Sequence, residues 1–273
     1  MRITKSHKII VYSILVILSL YFLFPFAWAL ITALKTEGEA FSFPPKFSPD
    51  VPQFGNFIEA WKSQPFGTYF KNSVIVTVMT TIGQIISCSL VAYGFARYDF
   101  KYKNILFILL LSTMMIPWDV TMIPLYMEFN LFGWINTLKP LIVPAFFGSA
   151  YNIFLLRQFL MNIPKDLESA ARMDGANEFQ IFYKIFLPIM KGPLTLIAVL
   201  NILLVWNDYL GPLIYLNDQS KYTMALGLAA FRGVHELQII PIMAMTLVMI
   251  IPPVIVFAFA QKYIVEGVSG SIK

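Results

Sequence analysis

Three stretches of this chain, Ile9 to Leu34, Asn72 to Ala96 and Leu237 to Gln261, contain no Asp, Glu, Lys or Arg. A hydrocarbon core is crossed by roughly 20 apolar helical residues, and only a helix or a closed barrel satisfies its backbone groups there. Runs of this length predict membrane-spanning helices and leave little chain for anything else. Composition agrees: 58% of the 273 residues are hydrophobic and 13% charged, whereas soluble domains carry about 25% charged residues. Arg2, Lys5 and Lys8 ahead of the first run, with Ala27-Trp28-Ala29 inside it, imitate a signal peptide. The run exceeds the ~7 to 15 residue core of such signals, so it is read as a retained span.

Three further apolar segments are interrupted: Asn104 to about Met127 with Asp119 inside, Leu138 to about Leu160 with Arg157 near its end, and Pro193 to about Leu216 with Asp208 inside. Pro117 and Pro124 flank Asp119, and Gly211-Pro212 follows Asp208, so neither of those spans is expected to be an unbroken helix. The fold predicted is all-α, one transmembrane domain over residues 1–273 with spans near 9–34, 72–96, 104–127, 138–160, 193–216 and 237–261. No internal repeat occurs.

Basic residues orient the bundle. With six spans, the side holding both termini receives thirteen Lys and Arg and the other side seven, which places the termini in the cytoplasm. The same distribution accounts for the net charge of +5 without a nucleic-acid partner. Lys35 to Lys71 and Leu216 to Glu236 are then external loops. Cys88 is the single cysteine and the histidines are His7 and His235, so neither a disulfide nor a metal cluster is expected. No cofactor and no catalytic residue is assigned. A Gly-Val-Ser-Gly tetrapeptide at 267–270 fits an intramembrane protease pattern but falls after the last span, away from His235.

Between the fourth and fifth spans, residues 163–190 are mixed in charge where their neighbours resemble lipid. Pro164 suits a helical N1 position, Asp166 and Glu168 a first turn, and Gly175 a left-handed C′ position, giving a helix of about three turns. Asn177 can cap a second helix in which Phe179, Phe182, Phe186 and Ile189 share one face. Small Ala170 and Ala171 permit close approach of another surface, and Arg172 and Asp174 can fix its register. On physical grounds two readings stay open, a docking element and an amphipathic connector.

This segment resembles the EAA loop of bacterial ABC importer permeases, in which E-A-A, three residues, Gly and nine residues precede I-x-L-P. Ala170, Ala171 and Gly175 match, nine residues separate Gly175 from Ile185, and Leu187-Pro188 completes the pattern. The consensus Glu falls on Ser169, with an acid only at Glu168. Leu34-Lys35-Thr36, Pro44-Pro45, Asn72-Ser73, Ile116 to Tyr126, Trp206-Asn207-Asp208 and the tail Gln261-Lys262-Tyr263 with Glu266-Gly267 resemble the carbohydrate-uptake branch, similar to the smaller permease of maltose-type importers.

The resemblance implies a type I importer fold in the bacterial inner membrane. It implies a heterodimer with a sister permease, two cytoplasmic ABC ATPase subunits and an external solute-binding protein. Glu168, Ser169, Ala170, Ala171, Arg172, Asp174, Gly175, Ile185, Leu187 and Pro188 would couple to the ATPase. The cargo implied is a sugar or oligosaccharide, with glycerol phosphate or a related polyol as the alternative. No G-x-x-x-x-G-K-[ST] occurs, so nucleotide is not held by a P-loop of this chain.

An intramembrane Asp costs about 2.5 to 3.5 kcal/mol, so Asp119 and Asp208 need compensation. Either they line a polar path with Trp206 and Asn207, or they stabilise bends. A rival reading is an ion-coupled secondary carrier, in which one of the two Asp residues binds the coupling ion. Thr77, Thr80, Thr81, Gln84 and Ser87 of the second span are read as contacts between helices.

Overall fold

The structure, a computed structural model of the chain, describes residues 5–231 and 238–269, with side chains described for 7–231 and 238–261. Arg2, Arg232, His235, Glu236 and Gly270 lie outside the described residues, as do the side chains of Lys262, Tyr263, Glu266 and Ser269. Every regular element among the described residues is helical. Four helices, His7–Ala33, Phe66–Arg97, Lys139–Met161 and Ile239–Gln261, are long and apolar enough to cross a membrane, and six spans result if each of two bent pairs counts as one. The principal elements are α1 (Lys5–Ala33), α2 (Gly55–Ser63), α3 (Phe66–Arg97), α4 (Lys103–Ser112), α5 (Trp118–Leu131), α6 (Ala150–Met161), α7 (Asp166–Met173), α8 (Glu178–Ile189), α9 (Lys191–Trp206), α10 (Leu210–Tyr215) and α11 (Ile239–Ser269).

The bends have local causes. Lys103–Met115 meets α5 at 100°, because Pro117 forces Ile116 out of the helical region, to φ −85°, ψ 113°. The segment from α8 to α9 turns by 72°. Beyond Trp206 the chain leaves the helix at Asn207–Tyr209 and resumes in α10. The fifth apolar segment is thus two helices, α9 and α10, joined by a break, as the Gly211-Pro212 signal predicts.

Contacts divide the chain into two units, residues 1–66 with 227–251 and residues 67–226 with 252–273. In the first, the apolar window of α1 has no buried position; its surface is left for lipid or another chain. The loop after it folds on itself. Lys35 is 2% exposed; its Nζ donates to Lys46 O at 2.6 Å and lies 4.8 Å from the Trp28 ring. Asn56 Nδ2 donates to Ala33 O and Lys35 O. Backbone N–H groups of Thr36 and Asp50 donate to the Glu39 carboxylate, which lowers its pKa to about 2.

The second unit is joined by polar contacts within an apolar surround. Asn201 Nδ2 of α9 donates to Thr81 Oγ1 of α3 at 2.9 Å, and Asn152 Nδ2 of α6 to Gln84 Oε1 at 3.2 Å. Ser87 Oγ reaches Ala145 O at 3.3 Å. The polar stripe of the second span thus binds helices to one another. Beneath it, Cys88, Tyr93, Leu156, Ile181, Phe186 and Met190 form a buried cluster shared by α3, α6, α8 and the α8–α9 bend.

Orientation is open to thiol labelling. After Cys88→Ala, Ser48→Cys should react with an impermeant maleimide on intact cells and Ser269→Cys only after permeabilisation; the reverse pattern would refute the orientation given by the basic residues.

Candidate functional site

The segment at residues 163–190 forms a helix-turn-helix. Its first helix, α7, has eight residues, about two turns rather than three. Pro164 precedes the cap at Lys165 and is not at N1, since the helix begins two residues later than the sequence suggests. Its C-terminus closes in a Schellman motif: Gly175 N–H donates to Arg172 O at 3.1 Å and Ala176 N–H to Ala171 O at 2.9 Å, with Gly175 at φ +81°. Asn177 then opens α8 through a reciprocal capping box, its Oδ1 accepting from Gln180 N at 2.9 Å and its N–H donating to Gln180 Oε1 at 3.0 Å.

Residues Ile181–Phe186 of α8 are wound as a π-helix, which rotates the face inferred from the sequence. Ile181, Phe182 and Phe186 are buried, whereas Phe179 is 71% exposed and Ile189 also points outward. A 3.6-residue period places all four aromatic and aliphatic positions together; the wider π turn parts them.

Glu168 carries the geometry of the site. Its side chain is buried beside the equally buried Arg97, the last residue of α3, with Oε1 3.1 Å from Nε. The contact is that of an ion pair and not an aligned hydrogen bond. Arg97 NH2 also donates to Leu160 O at 2.7 Å and Ile163 O at 2.9 Å, and its guanidinium lies 4.7 Å from the Phe186 ring centroid. One guanidinium therefore joins α3, the end of α6, α7 and α8. Outside it, Arg172 pairs with Glu178 at 2.9 Å and approaches Glu168 at 4.0 Å. Tyr98 OH donates to Glu178 Oε2 at 2.7 Å. Partial burial, followed by that bond to a carboxylate, holds the Tyr98 pKa above its ordinary value.

Ala171 is buried beneath α7, and Ile185 and Leu187 are half-buried. Ser169, Ala170, Arg172, Asp174, Gly175 and Pro188 are exposed. Ser169 Oγ makes only a 3.5 Å contact to Lys165 O. The internal salt bridge thus belongs to Glu168, one residue before the consensus position. Sequence reading missed Arg97 and Tyr98; the available signal was an arginine closing an uncharged run, two membrane crossings before an acid on the same side, Glu168. The outward side of the unit carries four large apolar residues, Leu167, Met173, Phe179 and Tyr183, among exposed polar and charged ones.

The second group of candidates lies elsewhere. Trp206 is 4% exposed and sits edge-on to Phe70 at 5.7 Å, a packing position inside this chain. Asp208 Oδ1 accepts from Gly211 N at 3.1 Å, and a Cβ on Gly211 would collide with the same carboxylate. Asp208 therefore fixes the bend into α10. Asn207 is exposed, its Nδ2 donating to Leu203 O at 2.8 Å. Asp119 is exposed in the first turn of α5, where a helix N-terminus favours an anion. The structure brings the residues of 163–190 together and leaves Asp119 outside both groups.

Long apolar helices, together with a helix-turn-helix rich in charged residues, mark an integral membrane protein. Residues 85–270 match the family described as binding-protein-dependent transport system inner membrane component, and the chain belongs to it. The chain is similar to the melibiose/raffinose/stachyose import permease protein MelC of Bacillus subtilis (strain 168), at 34% identity over 99% of this chain and 98% of that protein. It is also similar to the arabinooligosaccharides transport system permease protein AraQ of the same organism, at 33% identity over 94% and 92%. A chain in the crystal structure of a bacterial ABC transporter involved in the import of the acidic polysaccharide alginate shares the fold, with TM-score 0.82 and 24% identity over 96% of this chain and 98% of that one. The protein is thus a multi-pass cell-membrane component of a transporter and not an enzyme in itself. The ion-coupled carrier reading gives way to this membership.

Glu168 and Ser169, which occupies the consensus acidic position, are separable by thermal unfolding of the purified protein in detergent. Glu168→Ala strands a buried guanidinium and should cost about 3–5 kcal/mol, whereas Ser169→Ala should stay within about 0.5 kcal/mol. Equal effects would contradict the assignment of the internal salt bridge to Glu168.

Proposed function

We propose that this chain is one permease subunit of an ATP-binding-cassette importer for a sugar or oligosaccharide, paired with a sister permease and served by an external solute-binding protein. In this reading α7 and α8 form the surface that a cytoplasmic ATPase subunit engages. The observation that carries it is the two-sidedness of α7: Glu168 is held inward by Arg97, while Met173 stands 89% exposed on the other side. An amphipathic connector would bury all its apolar residues against its own bundle; here Ala171, Ile181, Phe182 and Phe186 do so, whereas Leu167, Met173, Phe179 and Tyr183 stay exposed among the described residues. The excess of basic residues on this side of the membrane supports a cytoplasmic location. The oligosaccharides named for MelC and AraQ support the cargo class. Hydrolysis of ATP belongs to separate subunits.

The path for solute runs past the break between α9 and α10. Asn207, exposed there, supplies both a donor and an acceptor to a sugar hydroxyl, and Asp208 with Gly211 keeps the break in shape. Trp206 supports the break from inside, and Asp119 is a further polar candidate on that path.

Proteoliposomes containing the assembled importer test both parts. Uptake of radiolabelled oligosaccharide should require internal ATP and the binding protein. Gly175→Val places a β-branched residue at φ +81°, a strain of about 1 kcal/mol or more, and should weaken ATPase co-purification and lower uptake. Asn207→Ala should retain the ATPase and lower uptake. Full coupled uptake by Gly175→Val would remove the docking role, and unaltered uptake by Asn207→Ala would remove the path assignment.

A further inference from the structure

Both ends of α3 are held by side-chain contacts to elements other than the spans. At one end Arg97 meets Glu168 of α7 as described. At the other, Asn72 Nδ2 donates to Ser220 O and Tyr222 O, each at 3.0 Å, and Ser73 Oγ accepts from Met224 N at 2.8 Å. Asn72 and Ser73 are buried, and their partners lie in the segment that follows α10, at the opposite end of α3 from α7. Asn72 and Arg97 are 25 positions apart, about 38 Å along a helix.

The helix between them is suited to transmit displacement. It runs for 32 residues without interruption, and it is the one proline-free member of the four long spans. A proline removes a backbone hydrogen bond and admits a kink; α1 carries Pro25 and α11 carries Pro252 and Pro253. Its apolar window is also the most buried of the four, and Thr81 and Gln84 fasten its middle to α9 and α6.

We propose that α3 is a rigid link between the two faces of the membrane, with Arg97 as the positioning residue at its inner end and Asn72-Ser73 as those at its outer end. Displacement of α7 then moves the external segment 218–224, and a binding protein that engages that segment acts on α7 through the same rod. The inference rests on the reading of α7 as the ATPase-facing helix. It adds a route for coupling that runs along α3 itself, through side-chain contacts at both of its ends.

The test uses the complete importer in nanodiscs, with Asn72→Ala/Ser73→Ala at the outer end, Arg97→Lys at the inner end, and the two combined. ATPase co-purification is measured first, on the unaltered complex, and its absence there counts against the docking reading alone. With the ATPase bound, stimulation of ATP hydrolysis by liganded binding protein should fall about fivefold or more in the outer variant, a typical coupling loss, while unstimulated hydrolysis stays unchanged. The combined variant should lose about as much as the worse single one, since both interrupt one route. Losses that multiply in the combined variant would show independent effects and overturn the proposal. If Arg97→Lys prevents assembly, the outer variant decides: stimulation equal to that of the unaltered complex overturns the link.

Discussion

A bilayer offers no partner for an unpaired backbone group, and this requirement governs where the chain can bend. Interruptions at Ile116-Pro117 and at Asn207–Tyr209 expose backbone that must be satisfied from within the protein. At the second of these, Asp208 accepts from Gly211 N and Asn207 donates to Leu203 O. The same economy appears at the inner junction. There the chain turns out of α6, and Arg97 supplies donors to Leu160 O in its last turn and to Ile163 O just beyond it. Its remaining capacity faces Glu168. Satisfying a helix end and fixing the attitude of α7 are thus performed by one guanidinium, a group whose rigid fork suits several acceptors at once.

That arrangement explains why a short, charged helix can sit against a membrane bundle without dissolving into it. The inward side of α7 holds one charge, paired and buried, and the small Ala171. The outward side is left without charge at Leu167, Ala170 and Met173. A surface of that kind is stable in water only when small, and it is suited to a partner that covers it. The Schellman turn at Gly175, the capping box at Asn177 and the Arg172–Glu178 pair then set the direction of α8 from within this chain, so the angle between the two helices does not depend on the partner.

The long uncharged runs, the broken spans and the helix-turn-helix at 163–190 are legible in the sequence because each follows from local rules: hydropathy over a window, proline geometry, capping and a left-handed glycine. The polar stripe of the second span is legible for the same reason, and its contacts to Asn201 and Asn152 bear it out. Less legible is everything that depends on which helix lies beside which. Arg97 and Glu168 are 71 positions apart, and nothing local marks them as partners. The π winding of α8, which accompanies the burial of Ile181, Phe182 and Phe186, is likewise unmarked locally, so a 3.6-residue reading assigned Phe179 and Ile189 to the wrong side. Trp206, named from the sequence as lining a polar path, packs edge-on against Phe70.

If α7 is the docking helix, its exposed side is covered by the ATPase subunit in the assembled importer. Site-directed cross-linking tests it most directly: in a Cys88→Ala background, Met173→Cys carrying a short thiol-reactive photoprobe should join this chain to the ATPase subunit, identified by mass spectrometry. Cross-linking to the ATPase is the predicted result. Labelling confined to lipid or to this chain's own helices, in a complex that retains its ATPase, would contradict the claim.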